Sequence, residues 1–413
     1  MRLYFDYLSA RGREALIMPV ELKNIPERIK TPEPPIVLRW LIIIILVTVV
    51  GAALALFLWP EGISTHSAWF WFSVIAVPFS VGSACYAFRL LIYENERERV
   101  NHWNRLHQEQ YDIQVAKGQR CAGLLGKAYI TPGACNKLAS ALLTYGSQLQ
   151  STYFAPLRRT FTTARLEPSA SHFSKESYSL RLARYLAQLL SVLEPDLSAL
   201  AGDRLSVRLR HDGMLDDAHI RQIWQEIFPS LYTVDDLAVG EEGDGMMWLD
   251  SWLDRREAML MLSVEINLFT EPRDYQSESV SALLLASPEW LSQHVVQPEA
   301  VIHRPVVATE EICTLQDMLR WGKLSIGEAY TLWQEQVDKN ALTRLLQQAE
   351  SIGYAPGQSE KYILDDLFGN AGAAHGNIAL LCACEYAVTS GKPQWVMISD
   401  KTTHQTIVRQ AEC

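Results

Sequence analysis

Basic charge is scarce in this sequence. Against 47 Asp and Glu it sets 37 Lys and Arg, a formal net charge of −10. The sequence pI is about 5.5. A nucleic-acid partner requires a basic face, so none is expected. Cysteine is also sparse. The seven residues (Cys85, Cys121, Cys135, Cys313, Cys382, Cys384 and Cys413) are odd in number and scattered, which reads as reduced thiols rather than a disulfide framework. Cys382 and Cys384 form C-x-C, whose side chains diverge on a helix, and no second pair completes a tetrahedral site. No metal or cofactor is expected. No Gly-rich loop accompanies LRRTFTTARL, so Arg158, Arg159 and Arg165 read as a strand or surface segment rather than a phosphate site. The loop GEEGDG, Gly240 to Gly245, lacks the register of a twelve-residue calcium loop and reads as an exposed turn.

Charge is missing most completely between Trp40 and Trp59, a run of mostly aliphatic residues. A second apolar run spans Ala68 to Leu90, with Arg89 placed at its end to reach the interface. Each meets the about 20 residues a helix needs to cross the hydrocarbon core. Trp40, Trp59, Trp69 and Trp71 stand where the membrane interfaces would lie. Pro78 is tolerable if neighbouring groups satisfy the freed carbonyl. The leader carries Arg2, Arg11, Arg13, Lys23, Arg28, Lys30 and Arg39, and Arg97, Arg99 and Arg105 follow the second run. The loop from Pro60 to Ser67 has no Lys or Arg. The positive-inside rule then places both termini in the cytoplasm and the loop outside. A pair of buried core helices fits less well. A cleaved signal peptide fits less well too, because the first run starts late and runs long.

Four segments follow from these patterns. Residues 1–35 form a polar leader, with a short amphipathic helix or a disordered stretch at its start and an extended TPEPP collar. Residues 36–93 form a transmembrane hairpin that contacts the lipid bilayer. Residues 94–118, rich in Glu, Arg and Gln, continue as a helical stalk whose His102 and His107 lie on a solvated face. Residues 119–413 form an α/β body. There AGLLGKAYITPG, RLSVRLRHD and EAMLMLSVEINLF read as strands. NKLASALLTYGSQLQ reads as a helix, as does the amphipathic run that stops near Pro195. DDAHIRQIWQEIFPSL reads as a helix with Asp216 or Asp217 as N-cap. PVVATEEICTLQDMLRWG passes from strand to helix, and Ser325 to Gly353 is expected to be mostly helix. Strand, loop and helix in succession make an α/β sheet.

The last sixty or so residues are the most distinctive. A Gly/Ala-rich turn (Gly369, Asn370, Gly372, Ala373, Ala374, Gly376) opens an apolar helix from Asn377 to Thr389, and two strands follow. So small a start lets the helix pack close to another backbone, and its free N–H groups can face an anion or a carbonyl. This stretch resembles the C-terminal end of the thiolase and ketoacyl synthase superfamily, and ESVSALLLAS, Glu278 to Ser287, resembles the strand that opens the C-terminal half there. The resemblance implies a thiolase-like α/β body. It also implies a nucleophilic cysteine at a helix N-terminus in the first half, tuned by histidines of the second. This chain has no cysteine between Cys135 and Cys313. The family's Gly-His is Gly369-Asn370 here, and His375 lies inside the turn instead. The body therefore reads as a non-catalytic thiolase-like scaffold. Its length from residue 121 implies that one half is trimmed. The candidate functional turn is Gly369, Asn370, Gly372, His375 and Gly376, with His375 as a local cap or packed histidine.

The layout of anchor, stalk and degenerate thiolase-like body resembles membrane proteins encoded beside type VI secretion effectors, above all the type VI lipase adaptor proteins. That resemblance implies an adaptor in the bacterial inner membrane, spanning it twice. Its protein partner would be a secreted effector or spike protein. Two other readings stay open. One is a membrane-bound immunity protein against a toxin. The other is an acyltransferase working through Cys121, Cys135, Cys313, Cys382 or Cys384.

Overall fold

The computed structural model describes residues 20, 22, 25–59, 67–166, 175–200, 202–241, 245–354 and 360–411. The helix expected early in the leader, the loop from Pro60 to His66 and Cys413 lie outside these residues. The chain divides into two compact units, with Lys23–Ile113 as one and Gln114 onward in the other.

In the first unit, residues 26–36 carry no regular structure, consistent with the run of prolines. Helix α1 is Val37–Phe57 and helix α2 runs over Ala68–Gly118. Both are long and apolar enough to cross a membrane, and none of the residues of α1 is buried. The two pack closely where side chains are small: Gly51 lies against Pro78, and Gly82 against Ile44. The segment Phe72–Ala76 is wound as a π-helix just ahead of Pro78, a local widening that absorbs the missing N–H. Beyond it the helix continues without a break into the charged stretch.

The body opens with β1 (Cys121–Ile130), α3 (Leu138–Tyr145) and a separate hairpin of β2 (Gln150–Phe154) and β3 (Arg159–Thr163). Then come α4 (Lys175–Ser198), β4 (Leu205–Arg210), α5 (Asp217–Ile227) and β5 (Val234–Gly240). They are followed by α6 (Met247–Leu253), β6 (Leu260–Asn267), β7 (Ser279–Ala286) and α7 (Pro288–His294). The remaining chain forms β8 (Ala300–His303), β9 (Val306–Val307), α8 (Ile312–Trp321), β10 (Thr331–Glu335) and α9 (Lys339–Ser351). It closes with β11 (Glu360–Ile363), α10 (His375–Ser390), β12 (Gln394–Ser399) and β13 (Thr403–Gln410).

These strands reveal a duplication. In the first half the sheet order is β5-β4-β6-β7-β1, and in the second it is β11-β10-β12-β13-β8. Both are third, second, fourth, fifth, first. In both, the second strand runs parallel to the third and fourth. In both, the fifth is antiparallel to the fourth and the first. The two first strands then pair with each other, from Cys121 opposite His303 to Leu124 opposite Ala300, joining the halves into one mixed sheet. Neither half is trimmed at the level of its strands, contrary to the expectation from length.

Three clusters fill the body. One surrounds α10 with residues of both halves, including Leu283, Leu285, Trp333 and Val396. The second packs α4 and α5 on the other face of the first half, and the third packs α8 and α9 on the second. On β7, alternate residues enter different clusters, which is why ALLLA reads as an unbroken apolar run; this strand closes the first half between β6 and β1 rather than opening the second, which begins at β8. Two expectations need correction. Pro195 lies inside α4, which runs on to Ser198. The segment from Ser325 is not one helix: TLWQE is the inner parallel strand β10, and α9 begins only after Asp338, whose carboxylate caps Asn340 and Ala341.

Candidate functional site

The Gly/Ala-rich turn joins β11 to α10, the third crossover of the second half. Gly369 has φ +92°, and a Cβ there would lie 2.6 Å from Ser277 Oγ, so only glycine fits. Asn370 donates its backbone N–H to Tyr275 O at 2.8 Å and accepts from Ser277 N at 3.0 Å. Its side-chain oxygen accepts from Gly372 N at 2.8 Å and from Gln336 Nε2 at 2.9 Å. Gly372, at φ +53°, presses against the side chain of Asn267. His375 is buried, and its Nδ1 lies 2.7 Å from Gly372 O, so Nδ1 carries the proton and donates it. Its Nε2 is buried without a partner. Gly376 leaves room for Glu265, whose carboxylate accepts from Asn377 N at 2.8 Å. Glu265 is held in turn by Arg208 at 2.9 Å, and Arg208 lies over the Trp248 ring. Ala371 N donates to Glu335 Oε1 at 3.2 Å. Glu335 is buried at the end of β10, and burial first, then the nearby Asp365 and Glu265, pushes its carboxyl well above the usual range.

These bonds answer what the free N–H groups of the turn face. They face Glu265, Glu335 and Asn370 of the same chain. None of the five turn residues lines the cavities of about 560 and 530 Å³ found elsewhere in the body.

The duplication identifies a counterpart in the first half, the stretch from Gly240 to Met246 that leads into α6. Residues 242–244 lie outside the described set. Gly245, at φ +60°, packs on the His404 ring, and Met246 N donates to His404 Nδ1 at 3.4 Å. His404 Nε2 and Thr402 Oγ1 are 2.7 Å apart. Arg210, at the end of β4, pairs with Asp400 at 2.8 Å while its Nε and Nη1 are buried without partners. His211 Nε2 lies 2.8 Å from Asp217. Each third-helix turn thus seats against the other half's fourth-to-fifth-strand connection. The start of β13 meets Gly245, and the end of β6 with the β6–β7 connection meets Gly369 to Gly372.

Sequence reasoning missed Arg210, His211, Asp400 and His404. The available signal was the RLRHD run at the C-terminal end of a parallel strand, where α/β sheets gather polar groups. No cysteine falls between Gly240 and Leu253. The thiols lie elsewhere: Cys121 opens β1, Cys135 is in an exposed loop and Cys313 is in the first turn of α8. Cys382 and Cys384 are buried in the middle of α10, where burial pushes both thiols up. Among the described residues no cluster of His, Cys, Asp and Glu has metal-ligand geometry.

No protein-family model matches the sequence, and no curated protein matches it either. Solved structures do match. One is a chain from the complex of a type II polyketide acyl-carrier protein with its ketosynthase bound to a hexaketide. It shares 9% identity and a TM-score of 0.51, covering 71% of this chain and 99% of that one. Another is the ketosynthase from module 6 of the bacillaene synthase of Bacillus subtilis 168. It shares 11% identity and a TM-score of 0.53, covering 71% of each chain. At such identities the likeness is one of fold, and the α/β body of this chain has the ketosynthase fold.

Proposed function

We propose that this protein is a membrane-anchored scaffold that uses a ketosynthase-like body for protein binding rather than acyl transfer. One observation carries the proposal. The N–H groups of Ala371 and Gly372 in the turn, and of Asn377 in the first turn of α10, are taken by the chain's own Glu335, Asn370 and Glu265, and no cysteine stands at the start of α6. A carbon–carbon-forming or acyl-transferring site of this fold needs a thiolate and open oxyanion donors. On this reading α1 and the first half of α2 cross the bacterial inner membrane with both termini in the cytoplasm. The proposed partner is a type VI secretion effector or its spike protein, the class implied by the resemblance in layout.

The test is affinity purification of the detergent-solubilised protein from its native bacterium, with bound proteins identified by mass. Recovery of a secreted effector or spike protein supports the proposal. Recovery of the protein alone, or of acyl carrier proteins, overturns it. An immunity role is separated by asking whether the protein rescues cells that make the bound toxin. The enzymatic reading draws on the ketosynthase fold and requires a working thiol. It stands if replacing Cys121, Cys135 or Cys313 abolishes function, and falls if a cysteine-free variant keeps it.

A further inference from the structure

Helix α3 and the β2–β3 hairpin border a cavity of about 560 Å³, within the usual size of small-molecule pockets. Its wall includes Gln148, Thr152, Phe154, Thr163 and Arg165. The charge balance behind this wall is uneven. Glu278 is fully buried and accepts two bonds from the Arg181 guanidinium. It also accepts from Leu166 N at 2.8 Å and Phe269 N at 3.0 Å. Its charge is therefore committed. Arg165 Nε stands 3.9 Å from Glu278, beyond hydrogen-bond reach, and that Nε is buried with no partner. Arg165 Nη2 donates only to the neutral carbonyls of Phe269 and Thr270, at 3.2 and 3.4 Å. Asp274, which meets the β2–β3 hairpin, pairs with Arg159 at 2.6 Å. Two guanidiniums thus share one carboxylate, and Arg165, its side chain 13% exposed, is among the residues that line the cavity.

A cation only partly compensated and held away from water is costly, and an anion placed beside it offsets that cost. The same wall offers the Thr152 hydroxyl as a further donor, while the Thr163 hydroxyl is committed to Gln276 O at 2.8 Å. We propose that this cavity binds a small oxyanion, a carboxylate or phosphate ester, with its charged group on Arg165. The site is independent of the scaffold reading and holds whether or not the body is catalytic.

The experiment titrates inorganic phosphate and, separately, succinate into the full detergent-solubilised chain. Chloride at equal ionic strength is the control. Calorimetry and thermal unfolding are the readouts. The expected result is a saturable heat and a rise in Tm with at least one oxyanion, the stronger probe deciding between phosphate and carboxylate. Arg165→Gln should weaken binding at least tenfold. Ala141→Phe, which keeps the arginine but fills the space, should abolish it and guards against misfolding of the first variant. Two results overturn the proposal. One is no response beyond chloride at about 10 mM, weaker than even a millimolar site would give. The other is equal binding by wild type and Ala141→Phe.

Discussion

Replacing Glu278 by Gln removes one charge from the most enclosed ion pair in the body. The carboxylate has no exposed surface and serves four donors: two guanidinium N–H groups of Arg181 and the backbone N–H groups of Leu166 and Phe269. Glutamine keeps the shape but supplies one oxygen and turns an NH2 toward the others. Arg181 stays buried and charged, joined by Arg165 nearby. Breaking a buried pair from one side costs about 3–5 kcal/mol. In a body of this size that corresponds to a fall in Tm of order 10 °C. The comparison is Asp235→Asn, which breaks a pair whose Arg204 side chain is 68% exposed and should cost under about 1 kcal/mol. Intrinsic fluorescence during a thermal ramp of the full chain in detergent reads both. Adding Arg181→Met to Glu278→Gln should lower Tm by less than the sum of the single losses, since each already breaks the same pair. Equal losses for Glu278→Gln and Asp235→Asn, or a Glu278→Gln protein as stable as wild type, would refute this account of the core.

Other expectations follow from the same geometry. Folded Glu335 keeps its proton well above the ordinary value of 4.5, whereas the unfolded chain releases it. Stability should therefore fall as pH rises past that value, and Glu335→Gln should flatten the fall while still accepting from Ala371 N; an unchanged slope in denaturation at several pH values counts against it. Burial pushes Asp212 up to about 6 from 3.8, so its contribution is lost between those values as pH rises, and Asp212→Asn should be the more stable protein above them. Iodoacetamide near pH 8, read by peptide mass, should modify Cys135 in the native protein but Cys382 and Cys384 only after denaturation; early labelling of the last two would contradict the packing of α10. Gly51→Leu places a side chain where Pro78 sits and should separate α1 from α2, read as a loss of crosslinking between cysteines introduced in the two helices.

Period and punctuation made much of this fold legible. The two apolar runs, β4, β6, β7 and the closing hairpin all carry patterns that a buried strand or long apolar helix imposes. The failures were local. VDDLAVG is a strand at the sheet edge, where the exposed Asp235 and Asp236 break the apolar signal. TLWQE was hidden by helix-favouring residues on both sides, and its parallel neighbours β11 and β12 decide it. The Gly/Ala-rich turn was visible, but its binding groups were not. Glu265 and Glu335 lie 112 and 36 residues from the N–H groups they accept. Arg210 and Asp400 are 190 residues apart, and only the folded sheet brings them together.

The reciprocal seating of the two turns bears on how the body can be taken apart. Neither half finishes its own crossover turn: Gly245 needs His404 from the second half, and Gly369 needs Ser277 from the first. The halves also share the short pairing of β1 with β8. A chain cut between α7 and β8 would leave each fragment with an open strand edge and an unsupported turn. Such fragments should not persist singly, but co-expressed they can reassemble into the whole, because every missing surface is carried by the other piece. Duplication here has produced mutual dependence, and a mutation in one turn is felt by the half that does not contain it.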